Sequence, residues 1–379
     1  MKMARIAHGA RRLALAAGLV AVTLAAGCAA TARTTDDAGG PSLDDLGHRV
    51  LHAYIQPAVR ELHRDTTRLA SALHDYCARP TDPSRRTEVD RRLAEVTESW
   101  AAVEVLRFGP LLEHNRLEQF FFWPDPRGVL QRQLRNVFAA RDRALLDNAN
   151  LRAQSVAVQG LPALEYALHA DEAPELIAGG GQAGRYRCDY AAAVAANLGR
   201  LAGEIEAAWD GDGVFAREFA HPQPDNMVYR SGSEVATEVV KAISTALHVA
   251  HDQKLQPALG DGASGARGTL LPLYRSGLTA RYLSAGVEAV ARLHAAARFG
   301  AMLPPDSRWI DQGIGEELSR VRDDFDALER PAHLAVADDT QRDLLVHAAL
   351  LLANVRVMVD EYLAPALRVN LGFNSLDGD

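Results

Sequence analysis

The sequence predicts an all-α protein. Apolar residues recur at steps of three and four: Leu344, Leu345, Ala348, Leu351, Leu352, Val355 and Val359 trace one helical face, and Tyr190, Val194, Leu198, Leu201, Ile205 and Trp209 do the same after Cys188. No stretch keeps a period of two with β-branched residues, and alanine, the strongest helix former, is abundant. At 379 residues, 48% hydrophobic and 24% charged, the chain can bury one large core or two moderate ones.

The first residues stand outside any such core. Lys2, Arg5, Arg11 and Arg12 form a basic start, Leu13 to Ala26 is a short apolar run, and Leu24-Ala25-Ala26-Gly27-Cys28 closes it with small residues. That order reads as an export signal over residues 1–27, too short to span a membrane. Cys28 after Ala-Gly resembles the site at which bacterial lipoproteins are cleaved and acylated, although Leu24 lies one place further from the cysteine than usual. The expectation is a lipid on Cys28 that anchors the chain to a membrane, followed by a polar tether over residues 28–41. Ala30 in place of an aspartate points to the outer membrane, facing the periplasm, in a host with two membranes.

The export segment carries four basic and no acidic residues, so the body is more acidic than the chain's net −8. An acidic body with no basic run argues against nucleic acid as a partner and against electrostatic adhesion to lipid. With Cys28 assigned to lipidation, Cys77 and Cys188 remain. Outside the cytoplasm such a pair is expected to be oxidised, closing a long loop whose entropy contributes a few kcal/mol.

Helices are predicted near 43–77, 84–106, 128–147, 150–170, 186–219, 232–256, 278–299, 306–329 and 338–366. Proline and glycine fall between them, at Arg79-Pro80, Phe108-Gly109-Pro110, Gly179-Gly180-Gly181, Gly260 to Gly268 and Pro304-Pro305. Long helices with short breaks favour antiparallel bundles. The clearest boundary is His221-Pro222-Gln223-Pro224-Asp225, which leaves four to five helices on each side, in halves 42–221 and 222–379. No strict sequence repeat relates them.

The segment Gly160-Leu161-Pro162-Ala163-Leu164-Glu165-Tyr166 places one carboxylate on an otherwise apolar first turn. A glutamate among Leu, Ala and Tyr loses hydration when its helix packs, so it needs a cation, a donor or a proton. His169 lies four residues on and on the same face. Two readings stay open: a structural carboxylate paired near the helix end, or the centre of a ligand or metal site with Glu165 and His169 as metal donors. Arg107, Arg127 and Arg275 each sit at a helix break, where a guanidinium can satisfy free carbonyls or, if the breaks converge, partner Glu165 or an anionic ligand. Trp123 would wall such a site. The pairs His48 and His52, and His248 and His251, have chelating spacing that also arises by chance on polar helices. No paired-cysteine zinc pattern, phosphate loop, nucleophile elbow or His-Glu-x-x-His helix occurs.

Gly160 to Glu165 resembles the Gly-x-His-x-x-Glu signature of the imelysin family of bacterial cell-envelope proteins. Arg107-Phe108-Gly109-Pro110, Phe122-Trp123-Pro124-Asp125-Pro126-Arg127-Gly128, Tyr274-Arg275-Ser276 and the ending Leu371-Gly372-Phe373-Asn374-Ser375-Leu376-Asp377-Gly378-Asp379 are similar to imelysin strings in the same order. The resemblance implies two helical-bundle domains packed together with the signature near their interface. The expected ligand-binding set is Glu165, Arg107, Trp123, Arg127, Arg275, Ser276 and Asp377, the last weighed because the tail is similar to imelysin C-termini. It also implies a role in iron acquisition beside other iron-uptake envelope proteins, with iron or another divalent metal as the cofactor to consider. Pro162 stands where the family has its histidine, which removes a metal ligand. The expected function is therefore ligand or metal binding. The alternatives are the metallopeptidase activity for which the family is named, which the loss of that histidine weakens, and a structural envelope protein without a small ligand.

Overall fold

The computed structural model describes residues 41–211 and 213–372, and the architecture there is all-α with no strand among the described residues. The long helices, numbered in chain order, are α1 (Gln56–Ala78), α2 (Pro83–Glu104), α3 (Val129–Ala140), α4 (Leu161–His169), α5 (Gln182–Ala208), α6 (Gly232–His248), α7 (Thr279–Ala297), α8 (Trp309–Asp326) and α9 (Arg342–Val357). The export signal, Cys28, the tether up to residue 40 and the tail residues from Phe373 to Asp379, Asp377 among them, lie outside the described residues.

Local chemistry accounts for where these helices start. Asp82 caps α2, its Oδ1 accepting the Ser84 N–H at 3.0 Å with Pro83 at the first position, where a missing N–H costs nothing. Ser231 caps α6 by accepting the Glu234 N–H, while the Glu234 carboxylate reaches back to the Arg230 N–H at 2.6 Å. Three predicted helices are interrupted. The one expected over 150–170 is instead Asn148–Arg152, a 3₁₀ turn at Val156–Val158, and α4. Gly160 is extended and packs so closely on the Phe120 and Gln119 carbonyls that a Cβ would fall within 2.7 Å of both oxygens, and Pro162 then opens α4. The helix expected over 186–219 stops at Ala208 and resumes at Val214–Ala220, while 128–147 ends as a helix at Ala140 with Arg141 left-handed.

Three helices widen into π turns, at Leu51–Ile55, Val249–Leu255 and Met358–Leu363, and Pro57, Pro257 and Pro365 follow one after the other at the start of the next α segment. Proline lacks the N–H and its ring crowds the carbonyl four residues back, which a wider turn relieves. Ile55-Gln56-Pro57-Ala58-Val59 and Leu255-Gln256-Pro257-Ala258-Leu259 share this device, a short echo between the two halves of the chain.

α1 packs on α2 and α5, and α4 lies on α5; α7 packs on α8, and α8 on α9. α2 also packs against α7, so helices before and after the Pro222–Pro224 break share one hydrophobic core that includes Trp100, Trp209, Tyr190 and Tyr282. Cys77 and Cys188 form a disulfide with Cα atoms 5.6 Å apart, fastening the end of α1 to the first turns of α5. No helix among the described residues is long and apolar enough to cross a membrane.

Candidate functional site

α4 buries Glu165, which is 3% exposed among Ala163, Leu164, Tyr166 and Ala167. Its partner comes from the segment that leads into α7. Ser276 donates its backbone N–H and its hydroxyl to Glu165 Oε1, each at 2.8 Å. The segment is a tight turn: Leu273 and Gly277 have positive φ, the Leu278 N–H bonds the Leu273 carbonyl at 3.2 Å, and the Thr279 hydroxyl bonds the Pro272 carbonyl at 2.6 Å. Burial pushes the Glu165 carboxyl above its ordinary range, opposed by the two Ser276 hydrogen bonds and by the Arg275 charge and amide.

Arg275 makes no ion pair with Glu165 or with any other carboxylate among the described residues. Its half-buried guanidinium instead lies over two aromatic faces, 4.4 Å from the Tyr274 ring centre and 5.0 Å from that of Tyr166. Stacking of this kind holds the planar fork in place and leaves its edge N–H donors facing outward.

The last carbonyls of α4 are satisfied by neighbouring arginines: Arg187 reaches the Tyr166 and Ala167 carbonyls at 3.3 Å, and Arg86 that of Leu168 at 3.2 Å. His169 faces the same way, with Nε2 3.4 Å from Asp90 Oδ1 and both ring nitrogens 3.3 Å from Arg86. Burial, with the Arg86 charge adding to it and Asp90 opposing, draws its pKa down to about 4, so the imidazole is neutral at pH 7.

A second cluster lies deeper, and Arg107 belongs to it. Glu104, on the last turn of α2, takes hydrogen bonds from Arg107, from the Tyr282 hydroxyl, and from Lys254 Nζ at 2.9 Å. Lys254 also donates to the Tyr282 oxygen at 2.9 Å and sits 4.3 Å from that ring's centre. Burial alone would raise the Glu104 carboxyl, but the Lys254 and Arg107 cations outweigh it and hold the group at about 2. Burial draws Lys254 down, opposed by the Glu104 charge and its hydrogen bond. A cavity of about 30 Å³, room for a water, adjoins the cluster and is otherwise lined by apolar side chains such as Ala101, Leu247, Val287 and Leu352. Lys254 enters from the π turn Val249–Leu255, whose extra residue changes the face its side chains present.

The sequence-derived set is thus divided. Glu165, Arg275 and Ser276 come together. Arg107 is held by Glu104 instead, and His169 by Asp90 and Arg86. Trp123 packs half-buried on the hydrophobic core, and Arg127 is exposed, its carbonyl accepting from Arg132 at 3.3 Å. Asp125, in the same string, accepts the Val129 and Leu130 N–H groups at 2.8 Å and so starts α3. Glu104, Lys254, Tyr166 and Tyr274 were not among the expected residues. Glu104 had the same signal as Glu165, a lone carboxylate in the apolar run Ala101-Ala102-Val103-Glu104-Val105-Leu106.

The imelysin family model matches residues 55–356. The chain belongs to the imelysin family. Two solved structures share its fold. An imelysin-like protein from Psychrobacter arcticum 273-4 superposes with a TM-score of 0.70 at 18% identity, over 88% of this chain and 98% of that one. A protein described as an iron-regulated protein A precursor, from Parabacteroides distasonis ATCC 8503, gives 0.67 at 11% identity, over 87% and 97%. No curated protein sequence matches the chain.

A metal at the imelysin signature is a poor fit to the residues this chain places there. Glu165 Oε1 already takes two hydrogen bonds, Pro162 replaces the family's histidine, and His169 is engaged by Arg86 and Asp90. One carboxylate is short of the several oxygen or imidazole donors that iron or zinc requires. The cation near it, Arg275, suits an anion.

Proposed function

We propose that this imelysin-family protein is a non-hydrolytic envelope lipoprotein, anchored through Cys28, that binds a carboxylate-bearing ligand at Arg275 in the service of iron acquisition. One observation carries the reading: Arg275 is stacked on Tyr166 and Tyr274 with no carboxylate partner among the described residues, beside a Glu165–Ser276 tie that fixes the loop presenting it. A guanidinium held by ring stacking is preorganised for a two-pronged hydrogen bond to a carboxylate. The link to iron comes from the family resemblance and is in keeping with the description of the Parabacteroides distasonis protein. Sugar acids and carboxylate chelates of ferric iron are the ligand class this chemistry fits.

A thermal-shift screen of the purified protein and Arg275→Met tests the proposal, using citrate, ferric citrate, galacturonate and bare ferric and ferrous ions. Binding to the folded state alone raises stability by about 2.7 kcal/mol at a hundredfold excess over Kd. A carboxylate that raises the melting point of the parent but not of Arg275→Met supports the proposal. Silence with every carboxylate refutes it. The peptidase alternative has its own readout: chelator-sensitive cleavage of casein that vanishes in Glu165→Gln.

A further inference from the structure

We propose that Met227 and Val228, with Val214 beside them, form an apolar tip that enters a zwitterionic phospholipid surface, the membrane to which the chain is tethered. The inference rests on the lipid anchor at Cys28 proposed above. Met227, 87% exposed, and Val214, 62% exposed, are the two most exposed large apolar side chains among the described residues, and Val228 is 48% exposed. Apolar side chains gathered on one surface and left in water are the mark of a face that meets something apolar.

The tip is held out from the body. Tyr229, next in the chain, is buried, with its ring 5.7 Å from that of Phe215 and 5.6 Å from that of Phe219, and its hydroxyl 3.1 Å from Glu238 Oε2. The Val228 N–H donates to Glu218 Oε2 at 2.9 Å, and the Asn226 amide donates to the His221 carbonyl at 2.9 Å. These bonds lay the segment along the helix Val214–Ala220, where Val214 stands one turn before Glu218. With Tyr229 planted in the core and Asn226 tied on the other side, Met227 and Val228 point outward on a fixed backbone. A tip already ordered loses little conformational entropy when it enters a bilayer.

The start of the helical body lies beside this tip. Gly232, four residues after Val228, opens α6 against it: a Cβ there would lie 2.4 Å from the Leu43 carbonyl oxygen and 2.7 Å from the Asp44 nitrogen. Four residues span at most about 14 Å, so Val228 is near the point where the chain enters the body. Cys28 is thirteen residues before Pro41, so a lipid on it lies at most about 45 Å from that point. Confinement within that radius sets an effective concentration in the millimolar range, about enough for a contact too weak to act alone. One acyl chain by itself also holds only marginally, and stable anchoring takes a second signal.

The charges nearby choose the headgroup. Asp225 precedes the tip, Asp44 and Asp45 stand at the chain entry, and Glu234 holds the Arg230 N–H; all four carboxylates are exposed. They repel an anionic surface, so the lipid is one with no net charge, such as phosphatidylcholine or phosphatidylethanolamine. Arg230, also exposed, is placed two residues after Val228 to reach a lipid phosphate.

The test uses the full chain made in a bacterium that acylates lipoproteins, with mass spectrometry to read the lipid on Cys28, reconstituted on phosphatidylcholine vesicles whose acyl chains carry bromine. Bromine quenches tryptophan fluorescence only at bilayer depth. Met227→Trp is compared with the parent and with Leu176→Trp. Leu176 is an exposed residue whose carbonyl packs on Gly184, at the end of α5 away from Trp209 and Phe215. The two ends of that 27-residue helix are about 40 Å apart. The added tryptophan at 227 should be quenched at least about twofold more than the one at 176, and less so when phosphatidylglycerol replaces half of the phosphatidylcholine. Met227→Ser/Val228→Ser, with melting curves to check that it folds, should pass between vesicles about tenfold faster than the parent. A chain with no lipid on Cys28 overturns the anchor and this inference with it. An acylated chain whose two tryptophans are quenched alike, or whose double variant moves no faster, overturns this inference alone.

Discussion

Ser276 gives both its N–H and its hydroxyl to a single oxygen of Glu165, tying α4 to a loop 111 positions further along the chain. Burial raises the Glu165 carboxyl, so its folded-state pKa lies above the unfolded one. The stability it contributes is complete below the unfolded value and is lost as pH rises through the folded value. The two hydrogen bonds from Ser276 need only an acceptor oxygen at this position, which a neutral side chain also supplies.

Glu165→Gln keeps that acceptor and should unfold in urea at or beyond the parent's midpoint at pH 7. Glu165→Leu leaves the Ser276 N–H without a partner and should cost about 1–3 kcal/mol. Equal losses in the two variants would mean that the charge holds the loop.

Glu104 is the opposite case, because Lys254 and Arg107 depend on its charge. Glu104→Gln leaves two cations against a neutral amide in the core and should cost about 3–5 kcal/mol in urea unfolding. Glu104→Leu combined with Lys254→Leu removes both ends of the buried pair and should cost less than the sum of the single changes. Additive losses would contradict the coupling that the 2.9 Å Lys254–Glu104 bond implies.

The acid limb of the stability curve should have two parts. His169, drawn down to about 4 from 6.5, contributes stability at neutral pH that is lost as pH falls through that window. Glu104, held at about 2 against an ordinary 4.5, loses its contribution lower, between those values. In a pH series of urea midpoints, His169→Gln should flatten the upper part and leave the lower. An unchanged slope between pH 6.5 and 4 would mean that His169 is protonated in the folded state.

The Cys77–Cys188 disulfide closes a loop with a sequence separation of 111. Replacing both by serine should lower stability by about 2–5 kcal/mol, read as the gap between parent and variant in denaturant under non-reducing conditions. A variant as stable as the parent would show that α1 and α5 are held by packing alone.

The fold class was readable because apolar spacing at three and four residues reports helix faces whatever the tertiary context. Helix interruptions were less so. Gly160 interrupts the helix because the carbonyls of residues 119 and 120 pack against it, and the π turns arise from proline geometry that periodicity does not register. At the site, Glu165 stood out as a lone carboxylate in an apolar turn. Its partner Ser276 was visible only within the family-like string Tyr274-Arg275-Ser276; that its N–H and hydroxyl both reach Glu165 depends on how the fold brings the two segments together. Arg107 was visible as a helix-end cation and pairs locally with Glu104 three residues earlier, but Lys254 and Tyr282, which complete the cluster on Glu104, come from far along the chain.

Arg275 on its two tyrosines is the centre of the functional reading, and a calorimetric titration with citrate and ferric citrate tests it most directly. The parent should bind at least one of them. Arg275→Lys should weaken binding by losing the fork, and Arg275→Met by about 10- to 100-fold, the value of a charged hydrogen-bonded contact. Equal binding by the parent and Arg275→Met, or none by the parent, would contradict the account and leave the Glu165–Ser276 tie a purely structural one.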